Sequence, residues 1–488
     1  MSKKLTLGDL IAGMGGGHPP GLEIPISVVV DSRKAVAGAV FFAFEGENVD
    51  GHDFVADAFE RGAVAAVVSR EVETDAPEID LENGPPFATM PSTPLVIRVP
   101  KVLTALQDAA RFWRRQLSPR VIGITGSVGK TTTKEVLSSV LSQRYRVLRS
   151  ASSYNNEIGV PLTLLCLTDE HERLVLEMGM YVRGDIDFLA GMAQPHVGII
   201  TNVAPVHAER AGSIENIALG KRELVEALPP APEGVAILNY DDTRVRAMAE
   251  HTAARVFFYG FTSEADLWAD EVESLGLDGI RLRLHYRGDQ LYVRAPLLGR
   301  HSAHTVLRAT AGGLVEGLTW QEIIQGLRSP GAQLRLVTVE GPNDSLILDD
   351  TYNASPPSTL AALNLLRDLG ANGESSSQTE RRKIAVLGDM LELGDYEEAG
   401  HLKVGCRAAS VVTELVAVGE QARVVARGAE LCGLARSRIH VAPDSAAAVE
   451  VLCEILRAGD IILVKGSRAM HMEQIVAKLS EEDAWHSH

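Results

Sequence analysis

Residues 121–142, VIGITGSVGKTTTKEVLSSVLS, decide how this chain is read. Val121, Ile122 and Ile124 predict a buried strand, and Val136, Leu137, Val140 and Leu141 recur at helical spacing, so residues 126–131 join strand to helix. A joint of that kind binds phosphate. Gly126 and Gly129 let backbone N–H groups turn inward without a Cβ in the way, and the helix N-terminus adds partial positive charge. Lys130 can reach terminal phosphates and the Thr131 hydroxyl can ligate magnesium. A strict P-loop has glycine at the position of Ile124, so the match is to the shorter form T-G-x-x-G-K-T. The expected nucleotide segment is Gly126, Ser127, Val128, Gly129, Lys130, Thr131 and Thr132.

Outward from this turn, residues 153–165 (SYNNEIGVPLTLL) begin polar and become apolar. Residues 174–177 predict a strand ending in Glu177, and residues 197–203 another, followed by His207 and Glu209. In a doubly wound sheet ligands sit at the carboxyl ends of the strands, which makes Glu177 a candidate magnesium ligand and places His207 beside it. Ser213 can cap a helix running to about Leu228, whose apolar stripe of Ile214, Ile217, Leu224 and Leu228 is interrupted by Lys221. A lysine there is explained either by snorkelling to water or by a desolvated, reactive amine that can take up carbon dioxide as a carbamate; spacing alone favours snorkelling.

Before the turn, residues 1–101 alternate strand and helix signals around Asp31-Ser32-Arg33 and GHDFVADAFERGA, and residues 85–94 form a proline-rich loop. Residues 102–329 make the nucleotide unit. From residue 330, Arg335, Asp350 and Asn353 precede a helix opened by Pro356 and Pro357; strands IAVLGDM, LVAVG, IHVA and DIILVKGS follow, and residues 372–382 read as a loop. The fold class is α/β in three domains: a small N-terminal α/β unit, a central doubly wound sheet of P-loop type and a Rossmann-like C-terminal unit with a mainly parallel sheet.

Composition agrees. A length of 488 residues suits about three domains. The balance of 47 basic against 64 acidic residues, −17 in all, argues against general affinity for nucleic acid or anionic membrane. No apolar run approaches membrane-spanning length, and Cys166, Cys406, Cys432 and Cys453 include no C-x-x-C pair, so neither disulfides nor zinc are expected. The expectation is a reduced, cytoplasmic monomer.

With these pieces in place, the chain resembles the Mur ligases, ATP-dependent amide ligases of bacterial cell-wall peptide synthesis. The resemblance runs over essentially the whole length, on Asp31-Ser32-Arg33, TGSVGKTTTKE, Tyr154-Asn155-Asn156, Glu177-Met178-Gly179, TNVAPVHAE, Lys221, DDTYNASP, LGDMLELG and VKGSR. DDTYNASP and LGDMLELG point to the member that takes D-alanyl-D-alanine and UDP-N-acetylmuramoyl-tripeptide, and the D-N-P-R motif typical of the preceding ligase is missing.

The resemblance implies ATP and Mg2+ as cofactors. Lys130 and Thr131 would serve phosphates and magnesium, Glu177 and His207 would complete metal sites, and Lys221 would be carbamylated, against the snorkelling reading. It further implies that Arg335 approaches the γ-phosphate and Asp350 the ribose. Ser32 and Arg33 would hold the UDP end, Asn155 and Asn156 the peptide-bearing region, and Asn353 and Lys465 the dipeptide. Ser302 and Thr305 stand where many relatives carry asparagines near adenine, which leaves the base contacts open. Two other readings remain: the same chemistry with a free amino acid as acceptor, and a nucleotide-binding regulator that has kept the fold.

Overall fold

The strand that enters the glycine turn, Arg120–Thr125, lies inside a nine-stranded sheet, which its apolar residues on both faces require. The computed structural model describes the whole chain except residues 1, 20, 47–48, 84–91, 207, 330–336, 370–380 and 481–488. Seven strands of this sheet are parallel, in the order Val147–Arg149, Arg173–Glu177, Arg120–Thr125, Val197–Ile200, Val235–Asn239, Arg255–Gly260 and Leu267–Ser274. An antiparallel pair, Ile280–Tyr286 and Asp289–Ala295, extends one edge. Register pairs Ile124 with Glu177 and Thr125 with Ile200, so Glu177 and the segment after Ile200 emerge beside the turn.

Alternation along the strand divides the core. Val121 packs with Leu106, Trp113, Leu174 and Leu224 on one face, while Ile122 and Ile124 pack with Leu137, Val306 and Ile323 on the other. The second face is covered by helices Lys130–Leu141, Ala303–Val315 and Trp320–Leu327. Just past Ala303–Val315, the Glu316 carboxylate is 1% exposed and receives Arg120 at 2.7 Å and Arg173 at 2.5 Å, fastening that helix to two central strands. Glu316→Ala leaves two guanidiniums facing each other with no anion. It is expected to cost about 3 kcal/mol, read as a lowered denaturation midpoint of the full chain.

The N-terminal sheet has five parallel strands, ordered Ser27–Val29, Ala39–Phe42, Ala65–Val68, Leu95–Arg98 and Glu78–Asp80. Helix Leu7–Gly13, held by a Thr6–Asp9 capping box, packs on Val102–Arg115, so apolar contact continues from Leu10 through Leu106 to Leu174. The C-terminal sheet has six strands, ordered Val337–Glu340, Leu346–Asp349, Ile461–Lys465, Lys383–Gly388, Glu414–Val418 and Ile439–Ala442. Only the first is antiparallel, as expected of a mainly parallel sheet. Among the described residues no helix is long and apolar enough to cross a membrane.

One expectation is corrected. Cys406 and Cys432 form a disulfide, with Cα atoms 5.1 Å apart. Helices Glu397–Ala409 and Ala422–Leu431 approach so closely that a Cβ on Gly405 would lie 2.0 Å from the Val425 carbonyl oxygen, and this packing brings the two sulfurs together across 26 residues of sequence. Cys166 and Cys453 are free thiols.

Candidate active site

The turn after Thr125 depends on glycine. At Gly126 φ is +142°, and a Cβ would come within 1.8 Å of the Thr201 hydroxyl oxygen; Gly129, at φ +87°, caps helix Lys130–Leu141. The Ser127 and Val128 N–H groups donate to the backbone oxygen and Oδ1 of Asn202, at 2.9 and 3.0 Å. These two amides therefore anchor the turn to the neighbouring strand's end. Donors for an anion come from Gly129 and the first helical turn, whose N–H groups have no intrahelical acceptor.

Lys130 folds back over the turn, its Nζ donating to the Gly126 and Ser127 carbonyls at 2.8 and 3.3 Å. The Thr131 hydroxyl donates to Glu177 Oε2 at 2.6 Å, and Asn155 Nδ2 donates to Glu177 Oε1 at 2.8 Å. Thr131, Glu177 and Asn155 thus form one cluster; the sequence placed Glu177 beside the turn but did not foresee Asn155 on its carboxylate. A hydroxyl and a buried carboxylate are hard oxygen donors of the kind magnesium takes, so the pair fits that ion. Among the described residues no three His, Cys, Asp or Glu side chains cluster as a metal site, so further ligands must come from elsewhere. His207 and Arg335 lie outside the described residues.

Lys221 does not snorkel. It sits in helix Ile214–Glu226, capped by Ser213, is 5% exposed, and makes no hydrogen bond or ion pair with any described residue. Burial pushes its amine well below the ordinary lysine range, and the nearby Lys130 ammonium pushes it further. The side chain opens into a cavity also lined by Gly126, Ser127, Lys130, Asn155, Asn156 and Phe188. One helical turn beyond Lys130, Lys134 is fully buried; its ammonium donates to the Ser150 carbonyl at 2.8 Å and to that of Ser152, and pairs with Glu135 at 3.1 Å.

A second cavity meets the first at Ser127, Lys130, Asn155 and Asn156. It runs from the turn past Asn239, Asp241, Leu297, His301 and His304 to Asp350, Asn353 and Lys465 of the C-terminal unit. There Lys465 is buried, pairing with Asp350 at 2.7 Å and donating to the Asn353 carbonyl at 2.8 Å. The two units touch at Ser153 with Tyr352, and at Glu392, whose carbonyl receives the Glu209 N–H at 3.3 Å.

Ser32 and Arg33 stand apart from both cavities. Ser32 is buried, and Arg33 forms a two-point pair with its own Asp31 at 2.9 Å. Sequence reasoning passed over Arg308, which is buried in Ala303–Val315, donates to the Thr133 hydroxyl at 2.8 Å and lies against Gly129. Its signal was available: like Lys221, it is a cation inside an apolar helical stripe.

Three family models cover the chain: the Mur ligase family catalytic domain on residues 27–114, the Mur ligase middle domain on 124–312, and the Mur ligase glutamate ligase domain on 334–468. The UDP-N-acetylmuramoyl-tripeptide--D-alanyl-D-alanine ligase of Synechocystis sp. is 35% identical over 466 residues, spanning 94% of this chain and 92% of the relative. The crystal structure of MurF from Acinetobacter baumannii superposes with a TM-score of 0.81 at 30% identity, covering 99% of this chain and all of that one. MurF ligase from Thermotoga maritima, solved in complex with ADP, superposes at 0.72 with 25% identity, covering 94% and 97%. Likeness of this extent, spread over all three sheets and including the phosphate turn, establishes that the chain belongs to the Mur ligase family.

Proposed function

We propose that this protein joins D-alanyl-D-alanine to UDP-N-acetylmuramoyl-tripeptide at the expense of ATP, through an acyl phosphate, giving the UDP-linked pentapeptide of peptidoglycan synthesis. The observation that carries this reading is the meeting of two cavities at Lys130, in a chain similar over nearly its whole length to ligases of that name. One cavity follows the phosphate turn and suits ATP. The other, containing Asn155, Asn156 and Lys221, suits the peptide end of the UDP-linked substrate.

In the reaction, the terminal carboxylate of the tripeptide attacks the γ-phosphorus and ADP departs. The amine of the dipeptide then attacks the acyl carbon, phosphate leaves, and the amine's proton passes to solvent. A carboxylate alone is a poor electrophile, which is why phosphate must be attached first. Lys130, released from the Gly126 and Ser127 carbonyls, offsets charge on the transferring group. Thr131 and Glu177 would hold magnesium, which supplies positive charge beside the phosphate oxygens, and His207 belongs to the same proposed set. Carbon dioxide added to the Lys221 amine, with a proton released to solvent, would turn the side chain into a further oxygen ligand.

Residues 1–101, with Ser32 and Arg33, are assigned to the UDP end, residues 102–329 to ATP, and residues 330–488 to the acceptor and closure, with Arg335 near the γ-phosphate and Asp350 near the ribose. Asn353 and Lys465 are placed on the dipeptide. The chain's own residues build both cavities, so a monomer suffices, and dependence on ATP suits the cytoplasm.

The test is product mass. Purified protein given ATP, magnesium, the UDP-linked tripeptide and D-alanyl-D-alanine is expected to yield a product heavier by the dipeptide less one water, with ADP and phosphate released. Ligation of a free diamino acid to the UDP-linked dipeptide instead, or no product with any amine, would reject the assignment.

A further inference from the structure

On the wall of the second cavity beyond the phosphate turn, the ring of His304 is backed by two aromatic rings. His304, in the first turn of Ala303–Val315, has its ring centroid 4.4 Å from that of Phe261 in an edge-on arrangement, with the buried Tyr259 at 6.4 Å. Its Nε2 lies 2.9 Å from Asp241 Oδ2, and the same carboxylate accepts the Phe261 N–H at 3.1 Å. Burial works to raise the Asp241 carboxyl, but the hydrogen bonds from His304 and Phe261 outweigh it and hold the group below the usual carboxylate range. An ionised carboxylate only accepts, so Nε2 carries the hydrogen, and in the neutral ring Nδ1 is left as an acceptor.

Three neighbouring polar side chains on this wall are engaged. The Ser302 hydroxyl donates to the Leu298 carbonyl at 2.7 Å, Thr305 Oγ1 accepts from Arg308 at 2.9 Å, and the Asn239 amide is divided between the Thr201 carbonyl and the Asp241 N–H. Among the described residues His304 Nδ1 has no hydrogen-bond partner. Arg308, one helical turn further on, lies against Gly129. A triphosphate anchored at residues 126–132 and lying along this helix toward its N-terminal end brings its base to His304.

We infer that His304, fixed by Asp241, accepts a hydrogen bond from the 6-amino group of adenine and thereby selects ATP over purine triphosphates with hydrogen or oxygen at that position, in place of the asparagines that Ser302 and Thr305 replace. The inference rests on the proposed binding of ATP at the turn. It assigns base selection to a residue between Ser302 and Thr305 that the sequence reading did not single out.

Equilibrium binding to the full chain tests it, using ATP and purine riboside triphosphate, which has hydrogen at position 6. The wild type is expected to hold ATP about tenfold more tightly than the purine analogue, the size of one neutral hydrogen bond. His304→Leu is expected to bind both alike, while His304→Gln, whose amide can donate to Asp241 and accept from adenine, keeps most of the preference. An unchanged ratio in His304→Leu, or no preference in the wild type, overturns the inference. Because binding is read and not turnover, a chain that holds ATP but ligates nothing still reports on His304, whereas a missing ligation product counts only against the ligase assignment. Failure to bind either nucleotide would overturn both.

Discussion

Lys130→Ala lowers the turnover of ligation by about a thousandfold while leaving the melting curve nearly unchanged. The side chain lies over the turn on two backbone carbonyls, contacts that contribute little to a helix already anchored through Thr133 and Arg308, so its loss is felt in the chemistry. About 4 kcal/mol of barrier is at stake, the amount a thousandfold represents. Turnover and thermal unfolding on the same preparation separate the outcomes: a tenfold loss or less would mean that other cations carry the phosphoryl transfer.

Lys221→Ala is expected to reduce turnover about a hundredfold, with partial recovery on adding formate or acetate, since a short carboxylate can occupy the place of the proposed carbamate. Full activity in the variant, indifferent to added carboxylates, would remove Lys221 from the reaction. A second measurement uses the same side chain in buffer freed of carbon dioxide. The amine's folded pKa is depressed, so between that value and the ordinary one near 10.4 the unfolded chain binds more protons, and stability rises with pH through that window. At neutral pH the uncarbamylated lysine is therefore a burden. Lys221→Met should raise the melting midpoint by roughly 2–4 °C and flatten its climb with pH, while lowering ligation at least as much as Lys221→Ala.

Much of the frame was readable in advance because it rests on local rules. Glycine, lysine and threonine after an apolar strand predicted the turn. Strand ends predicted that Glu177 would stand beside it, and the Ser213 cap fixed the helix of Lys221. What eluded the sequence depends on packing between distant segments. Lys221 looked like a snorkelling residue because spacing reveals a stripe but not whether the covering elements leave a route to water. Cys406 and Cys432 meet only because two helices close on Gly405. Strands Glu78–Asp80 and Leu95–Arg98 are short and flank the proline-rich passage, so neither periodicity nor length distinguished them from loop. The Asp241–His304 pair joins residues 63 positions apart, and neither advertises the other.

Lys134 carries a consequence for how the cleft can move. The helix that presents Lys130 and Thr131 to a nucleotide also grips, one turn later, the carbonyls of Ser150 and Ser152, and the chain leaving that grip delivers Asn155 to Glu177. The residues proposed for the nucleotide and those proposed for the peptide end are thereby mounted on a single unit, built from one helix and the loop it clamps. Motion of the helix therefore carries Asn155 and Glu177 along with Lys130 and Thr131, and the spacing among these four side chains is held by covalent geometry and three hydrogen bonds that water reaches little.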